Sequence, residues 1–208
     1  LMLSGVSHDL RTPLTRIRLA LAVSEPGPET EEIARDAAEM ERMLDAFLDF
    51  VRGEGGEAAE PVDAAALVAG VVEQVWAGRI AVDLDLDPTP GTAEPVTLRP
   101  MAIRRCLTNL VENALRHARS RVRVRLRQSL RALDIAIEDD GPGIPEAQRA
   151  EALRPFTRLD ESRNQDAASG VGLGLAIALD IARSHGGVLS LDDSPDLGGL
   201  RAALHLPR

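Results

Sequence analysis

With 208 residues, 44% apolar and only 2% aromatic, the chain is long enough for one large or two small domains with cores of Leu, Val, Ile and Ala. A net charge of −9 and a pI near 5.0 argue against a nucleic-acid groove, which needs a basic face. The lone Cys106 excludes a disulfide framework and a thiolate metal cluster, and no uncharged apolar run reaches the roughly 18 residues of a membrane span.

The opening "LMLSGVSHDL" is already in helical register and reads as the soluble part of a longer chain cut inside a helix, with no signal peptide. Leu3, Val6, Leu10, Leu14, Ile17 and Leu21 step by three or four and form a heptad-like seam. Within it, His8 and Thr12 are four apart and share a face, and Asp9 adjoins His8. Pro13 has no N–H to bond to the carbonyl of Asp9, so the helix is expected to be interrupted there. "SEPGPET" ends this seam, and Ile33, Ala37, Met40, Leu44, Phe47 and Val51 make a second one. Two such helices form an antiparallel hairpin whose stripe is half covered, so two copies would close a four-helix bundle as a homodimer.

"RGEGGEAAEP" (52–61) reads as a linker. Beyond it, "AVDLDLD", "RVRVRLR" and "ALDIAIED" alternate as half-buried strands do, and "GVLSLDD" and "LRAALHLP" add two more. Helical stretches at 62–76, 100–118 and 174–185 alternate with them. A mixed sheet with helices on one face is the economical arrangement. The domain boundaries expected are 1–55 for the hairpin and 61–208 for the α/β part.

Four stretches carry candidate chemistry. In "LTNLVENALRHA", Asn109 and Asn113 are four apart on one helix; their amide oxygens suit a hard cation such as Mg²⁺ or simply a solvated face. "EDDGPGIP" follows a strand: Gly141 and Gly143 permit close backbone approach to a ligand, and Asp139 can accept from an amino group, though a plain surface turn has the same composition. "SGVGLGLAIALDIA" launches a helix from Gly170, Gly172 and Gly174, a phosphate-binding geometry. A dinucleotide fingerprint is excluded, because the spacing is G-x-G-x-G and a polar loop, not a strand, precedes it. "RPFTRLDESRNQDAAS" reads as a lid or a disordered loop, with Phe156 near its start and Arg158 and Arg163 able to meet phosphates.

In this order, "SHDLRTPLTRIRLAL", "NLVENALRHA", "DDGPGIP", "PFTRLDESR" and "GVGLGLAIA" resemble the H, N, G1, F and G2 boxes of sensor histidine kinases, over essentially the whole chain. "GVSHDLRTPLTRIRLA" and "EDDGPGI" are most similar to the osmolarity-sensing members. The resemblance implies an α+β architecture: a dimeric phosphotransfer hairpin, then an α/β sandwich ATP-binding domain of the Hsp90 and gyrase kind. By position, His8 corresponds to the phosphoacceptor and Asp9 to the acid bonding its ring; Thr12 corresponds to the threonine of phosphatase activity. Asn113 corresponds to the Mg²⁺ ligand with Asn109 beside it, Asp139 to the adenine-reading aspartate, and Arg116 to a basic residue facing phosphate. The glycines at 141, 143, 170, 172 and 174 match the two G boxes, and His117, Ile144, Phe156, Arg163 and Leu175 complete the implied ATP lining. The implied partners are a second copy and an OmpR-like response-regulator receiver. The implied location is the cytoplasmic portion of a bacterial inner-membrane protein, held to the membrane only by a missing N-terminal part. Two departures stand out: Val171 replaces a hydroxyl residue common in the G2 box, and His117 replaces a frequent tyrosine. A non-kinase ATPase of the same fold and a degenerate docking module are the competing functions; one turns over ATP without a phosphoprotein, the other binds no nucleotide.

Overall fold

A computed structural model describes residues 2–24, 27–52, 57–76, 78–86, 94–157, 159 and 172–208; for residues 2–11 and parts of the second helix it describes the backbone only. The chain divides into two compact units, Leu1–Gly55 with Asp160–Leu173, and Gly56–Leu159 with Gly174–Arg208.

The first unit is a hairpin of α1 (Met2–Ala22) and α2 (Pro28–Arg52). Leu14 and Ala37, one from each seam, are buried, and Arg18 reaches Glu41 across the pair at 2.8 Å. Ile17, Ile33 and Met40 lie on the same seams yet are 41%, 49% and 53% exposed. The expected interruption at Pro13 does not occur, since α1 runs unbroken through it. One missing N–H removes a single ladder bond, and the packing of α1 on α2 outweighs that loss.

The second unit is a sheet covered on one face by helices, as its alternation requires. Five strands, β2 (Ala81–Leu86), β4 (Arg121–Gln128), β5 (Ala132–Asp139), β6 (Val188–Asp193) and β7 (Leu200–Pro207), pair in the order β2-β4-β5-β7-β6. Only β2 and β4 run parallel. The helices α4 (Pro100–His117) and α6 (Gly174–Ser184) pack on the face bearing Val124, Leu126, Leu133, Ile135, Ile137 and Leu204, and α3 (Ala64–Val75) packs against α4. Two three-residue strands, β1 (Glu60–Val62) and β3 (Val96–Leu98), pair antiparallel beside the main sheet, and α5 (Glu146–Ala152) follows β5. These three elements carry too few residues to show a period, and the sequence alone does not reveal them.

The stretch read as a linker is structured in its second half. Glu57 caps α4 from outside: its two carboxylate oxygens accept from the N–H groups of Met101 (2.6 Å) and Ala102 (3.0 Å). Pro100 opens that helix, and Arg99, at its N-cap, provides no side-chain cap. A remote carboxylate therefore satisfies two orphan donors at the positive end of α4. The same helix start is tied to the end of α6. His185 donates from Nδ1 to the Ile181 carbonyl (2.8 Å) and accepts the Arg99 N–H at Nε2 (3.4 Å), while burial and the Arg99 cation push its pKa down. No helix among the described residues is long and apolar enough to cross a membrane.

Losing a helix cap costs about 1 kcal/mol, and in a domain of this size that lowers the melting temperature by about 2–4 °C. Glu57→Ala should show that drop in calorimetry and Glu57→Gln a smaller one. An unchanged melting temperature in the alanine variant would show that the cap carries no stability.

Candidate nucleotide site

The site is built from the end of β5, the C-terminal half of α4, the start of α6, and the turn joining β6 to β7. Alternation along β5 points Leu133, Ile135, Ile137 and Asp139 to the helix-covered face, so the last of them carries a carboxylate into the core. Asp139 is 2% exposed. Its Oδ1 accepts from two backbone donors, the N–H of Gly141 at 2.8 Å and of Leu200 at 3.2 Å. Among the described residues no donor reaches Oδ2. Burial pushes the carboxyl above the usual aspartate range, against the two N–H groups and the nearby His117; the Asp140 charge adds to the rise.

The turn after β5 is tight for a reason that names its residues. A Cβ at position 141 would collide with the carbonyl oxygen of His117 and lie 2.8 Å from Asp139 Oδ1. Asp140 turns the other way and accepts from the N–H groups of Arg119 (2.8 Å) and Ser120 (3.0 Å) and from the Ser120 hydroxyl (2.6 Å), which holds its pKa far below the ordinary value. Gly143 follows in the left-handed region at φ 71°, and Ile144 is half-buried with its carbonyl receiving Arg149 Nε at 3.0 Å. Arg149 also reaches Asp193 at 2.5 Å, fixing α5 to the end of β6.

On α4 the stripe Ile103, Leu107, Leu110 and Ala114 is buried, and Asn109 and Asn113 sit half-buried beside it. Arg116 and His117 are exposed in the last turn. Asn109 donates from Nδ2 to the Arg105 carbonyl at 2.9 Å, which leaves its Oδ1 beside the first residue of α6: a Cβ on Gly174 would come 3.3 Å from that oxygen. Leu175 is half-buried in the same turn, and Gly172 has φ 73°. The structure thus brings Asp139, Gly141 and His117 together, and Asn109 with Gly174. Phe156 is half exposed and holds a left-handed φ of 63°, a strained conformation for a bulky residue. Thr12 is exposed on α1, while the side chains of His8 and Asp9 lie outside the described residues. Arg158, Arg163, Gly170 and Val171 also lie outside them.

The residues fit an adenine nucleotide. A buried carboxylate with one oxygen saturated and the other left to a ligand is an acceptor for an amino group, and helix α6 starts beside an amide oxygen. Among the described residues no cluster of three His, Cys, Asp or Glu is arranged for a metal. An ion shared between one or two protein oxygens and a substrate's phosphates suits this donor set better than a protein cage.

Comparison with known proteins agrees with this geometry. The family of histidine kinase-, DNA gyrase B- and HSP90-like ATPases matches residues 98–208, and the His kinase A phospho-acceptor domain matches residues 1–56. The chain belongs to this ATPase family, in its histidine kinase branch. It is 38% identical over its whole length to the sensor histidine kinase GtrS of Pseudomonas aeruginosa, of which it covers 41%. It is 35% identical over 99% of its length to the sensor histidine kinase CpxA of Escherichia coli K12, covering 46% of that protein. The chain therefore spans less than half of these relatives. Among solved structures it resembles the histidine kinase domain of the E. coli osmosensor EnvZ, with 32% identity, a TM-score of 0.54, and coverage of 74% of this chain and 91% of that one.

Four residues around Asp139 and its turn carried no signal in the sequence: Gly199, whose N–H reaches the Asp139 carbonyl at 3.1 Å, Leu200, Arg149 and Ser120. Each acts through a backbone group or a long-range contact, and only the strand pairing brings it to the site.

The raised pKa of Asp139 has a sign that can be checked. Between the unfolded value of about 3.9 and the higher folded value, the folded state binds more protons, so this group's contribution to stability falls as pH rises through that window. Asp139→Asn should gain stability relative to wild type as pH rises from about 3.5 toward neutrality without nucleotide, and then hold a constant difference. Melting curves across that range decide it; a difference that shrinks with pH would mean the carboxylate is stabilised in place.

Proposed function

We propose that the chain is the kinase core of a two-component sensor: it binds Mg²⁺-ATP, phosphorylates its own His8, and passes the phosphoryl group to an aspartate of a response-regulator receiver. The observation that carries this reading is the join of a phospho-acceptor hairpin, with His8 in its H box, to an ATPase domain whose buried Asp139 keeps one oxygen for a ligand.

Asp139 Oδ2 accepts from the amino group of adenine. Asn113, with Asn109 beside it, would hold Mg²⁺, which would offset phosphate charge. Arg116 and, by its place in the F box, Arg163 are assigned to the phosphates, and the glycines of the two G boxes to close backbone approach. His117, Ile144, Phe156 and Leu175 line the nucleotide. His8 attacks as a neutral imidazole through one ring nitrogen; the N–P bond forms as the bond from the γ-phosphorus to the bridging oxygen breaks, and ADP leaves. Asp9 accepts from the other ring nitrogen and fixes that tautomer. Catalysis is then chiefly positioning and charge stabilisation. Thr12, one turn on, aligns a water against the receiver's aspartyl phosphate and makes the same hairpin a phosphatase.

The exposed Ile17, Ile33 and Met40 support a homodimer, since a second hairpin would cover them. The likeness of the H and G1 boxes to osmosensing kinases supports kinship with those members and an OmpR-like receiver. Coverage of under half of the sensor kinase relatives supports a cytoplasmic portion of a longer inner-membrane protein.

Incubation with γ-labelled ATP, then acid and alkali treatment, tests the reading. The label should survive alkali and be lost in acid, as phosphohistidine is. His8→Ala should abolish labelling and keep ATP binding, and undiminished labelling would end the proposal. Thr12→Ala separates the two activities. It should label itself and phosphorylate a receiver normally, yet prolong the receiver phosphate's lifetime by about tenfold to a hundredfold, the scale of a lost positioning contact. Equal lifetimes would remove Thr12 from the phosphatase step.

A further inference from the structure

The turn between β6 and β7 belongs to none of the boxes, yet it completes the environment of Asp139. It is closed on itself: Ser194 N donates to the Gly199 carbonyl (2.8 Å), Gly198 N to the Ser194 carbonyl (3.0 Å), and Leu197 N to Ser194 Oγ (3.1 Å). Ser194 Oγ in turn donates to the fully buried Glu138 (3.2 Å), which fixes the turn to β5. The turn delivers two donors to one residue. Gly199 N reaches the backbone carbonyl of Asp139 at 3.1 Å, and Leu200 N reaches its Oδ1 at 3.2 Å.

Two adjacent glycines there are glycine for different reasons. Gly198 has φ 80°, and nothing lies within 4 Å of where a Cβ would stand, so conformation alone excludes a side chain. Gly199 lies outside the left-handed region, and only space excludes one: a Cβ would collide with the carbonyl oxygen and Oδ1 of Asp139 and lie 2.6 Å from Gly141 N. The obstacle is backbone and the buried carboxylate itself, so a side chain at 199 fits only by displacing that carboxylate or opening the turn.

We propose that Gly199 is a positioning residue that sets base selectivity: its lack of a side chain lets the turn close on Asp139, so that Gly141 and Leu200 saturate Oδ1 and only Oδ2 faces the base. The inference rests on the nucleotide reading above and goes beyond it. Adenine presents an amino donor at the ring position where guanine presents a carbonyl oxygen. A carboxylate held with Oδ2 toward that position attracts the first and repels the second. Pushing the carboxylate aside therefore costs adenine binding and does not cost guanine binding, for which it relieves a repulsion.

Calorimetric titration with Mg²⁺-ADP and Mg²⁺-GDP tests this on three variants. Gly199→Ala should weaken ADP by about tenfold or more and leave GDP no weaker, collapsing the ratio between the two. Gly198→Ala should lower the melting temperature through its backbone strain yet hold ADP affinity within about twofold. Should Gly199→Ala not fold, Ser194→Ala, which loosens the turn without a collision, carries the test and should weaken ADP severalfold with GDP again no weaker. ADP affinity at the wild-type level in a folded Gly199→Ala variant overturns the role of Gly199 alone, as does equal loss of both nucleotides or equal ADP loss in Gly198→Ala. Failure of the wild-type chain to bind ADP overturns the nucleotide reading and this inference with it.

Discussion

A carboxylate buried at the end of a strand dictates what must surround it. An ionised group taken out of water is costly unless donors reach it, and at Asp139 both donors are backbone N–H groups. Backbone can approach that closely only where side chains are absent, so the carboxylate is bracketed by Gly141 on one side and Gly199 on the other. It also requires β7 to lie beside β5 in a register that sets Leu200 at the carboxylate, and the end of α4 to lie against Gly141. Sheet order, two turns and one helix terminus thus converge on a single side chain.

The open face of the sheet follows a related logic with weaker forces. The polar positions of β4 are Arg121, Arg123, Arg125 and Arg127, and acids stand opposite them on either side. Asp83 meets Arg121 at 3.4 Å and Asp85 meets Arg127 at 2.7 Å from one neighbour; Glu138 meets Arg125 at 3.3 Å from the other. Asp196, from the β6–β7 turn, reaches both Arg123 and Arg125. Exposed pairs of this kind contribute little singly. Glu138 differs because it is fully buried between Arg125 and Arg201, where removing a partner leaves a charge uncompensated. The anchor of the β6–β7 turn is therefore itself held by arginines.

Much of this was legible in the sequence, for identifiable reasons. The five long strands alternate cleanly, and α3, α4 and α6 carry apolar stripes, so period alone locates them. Residue type and spacing singled out Asp139, Gly141, Asn109 and Asn113 only as candidates, with a surface turn and a solvated helix face equally open, and it was the order of the boxes that tied them to a nucleotide. What escaped was short or non-local. β1 and β3 have three residues each, and the seven residues of α5, "EAQRAEA", bear no apolar stripe. Pro13 misled in the other direction, because local backbone chemistry was overridden by the packing of two long helices. "DLGGL" around Gly199 looks like any surface turn; its meaning lies in a contact with a residue 60 positions earlier, which no local pattern encodes.

The pairing order of the sheet also governs when the site can exist during folding. β4 and β5 are joined by residues 129–131, and β6 and β7 by a turn of similar kind, so each hairpin closes locally and fast. Joining them through β5 and β7 must close a loop across the 61 positions that separate Asp139 from Leu200, and entropy delays such closures. Until then the carboxylate has only the Gly141 donor and no fixed orientation. Nucleotide competence therefore depends on the association of the two hairpins, because the pairing of β5 with β7 is what brings the Leu200 donor to the carboxylate.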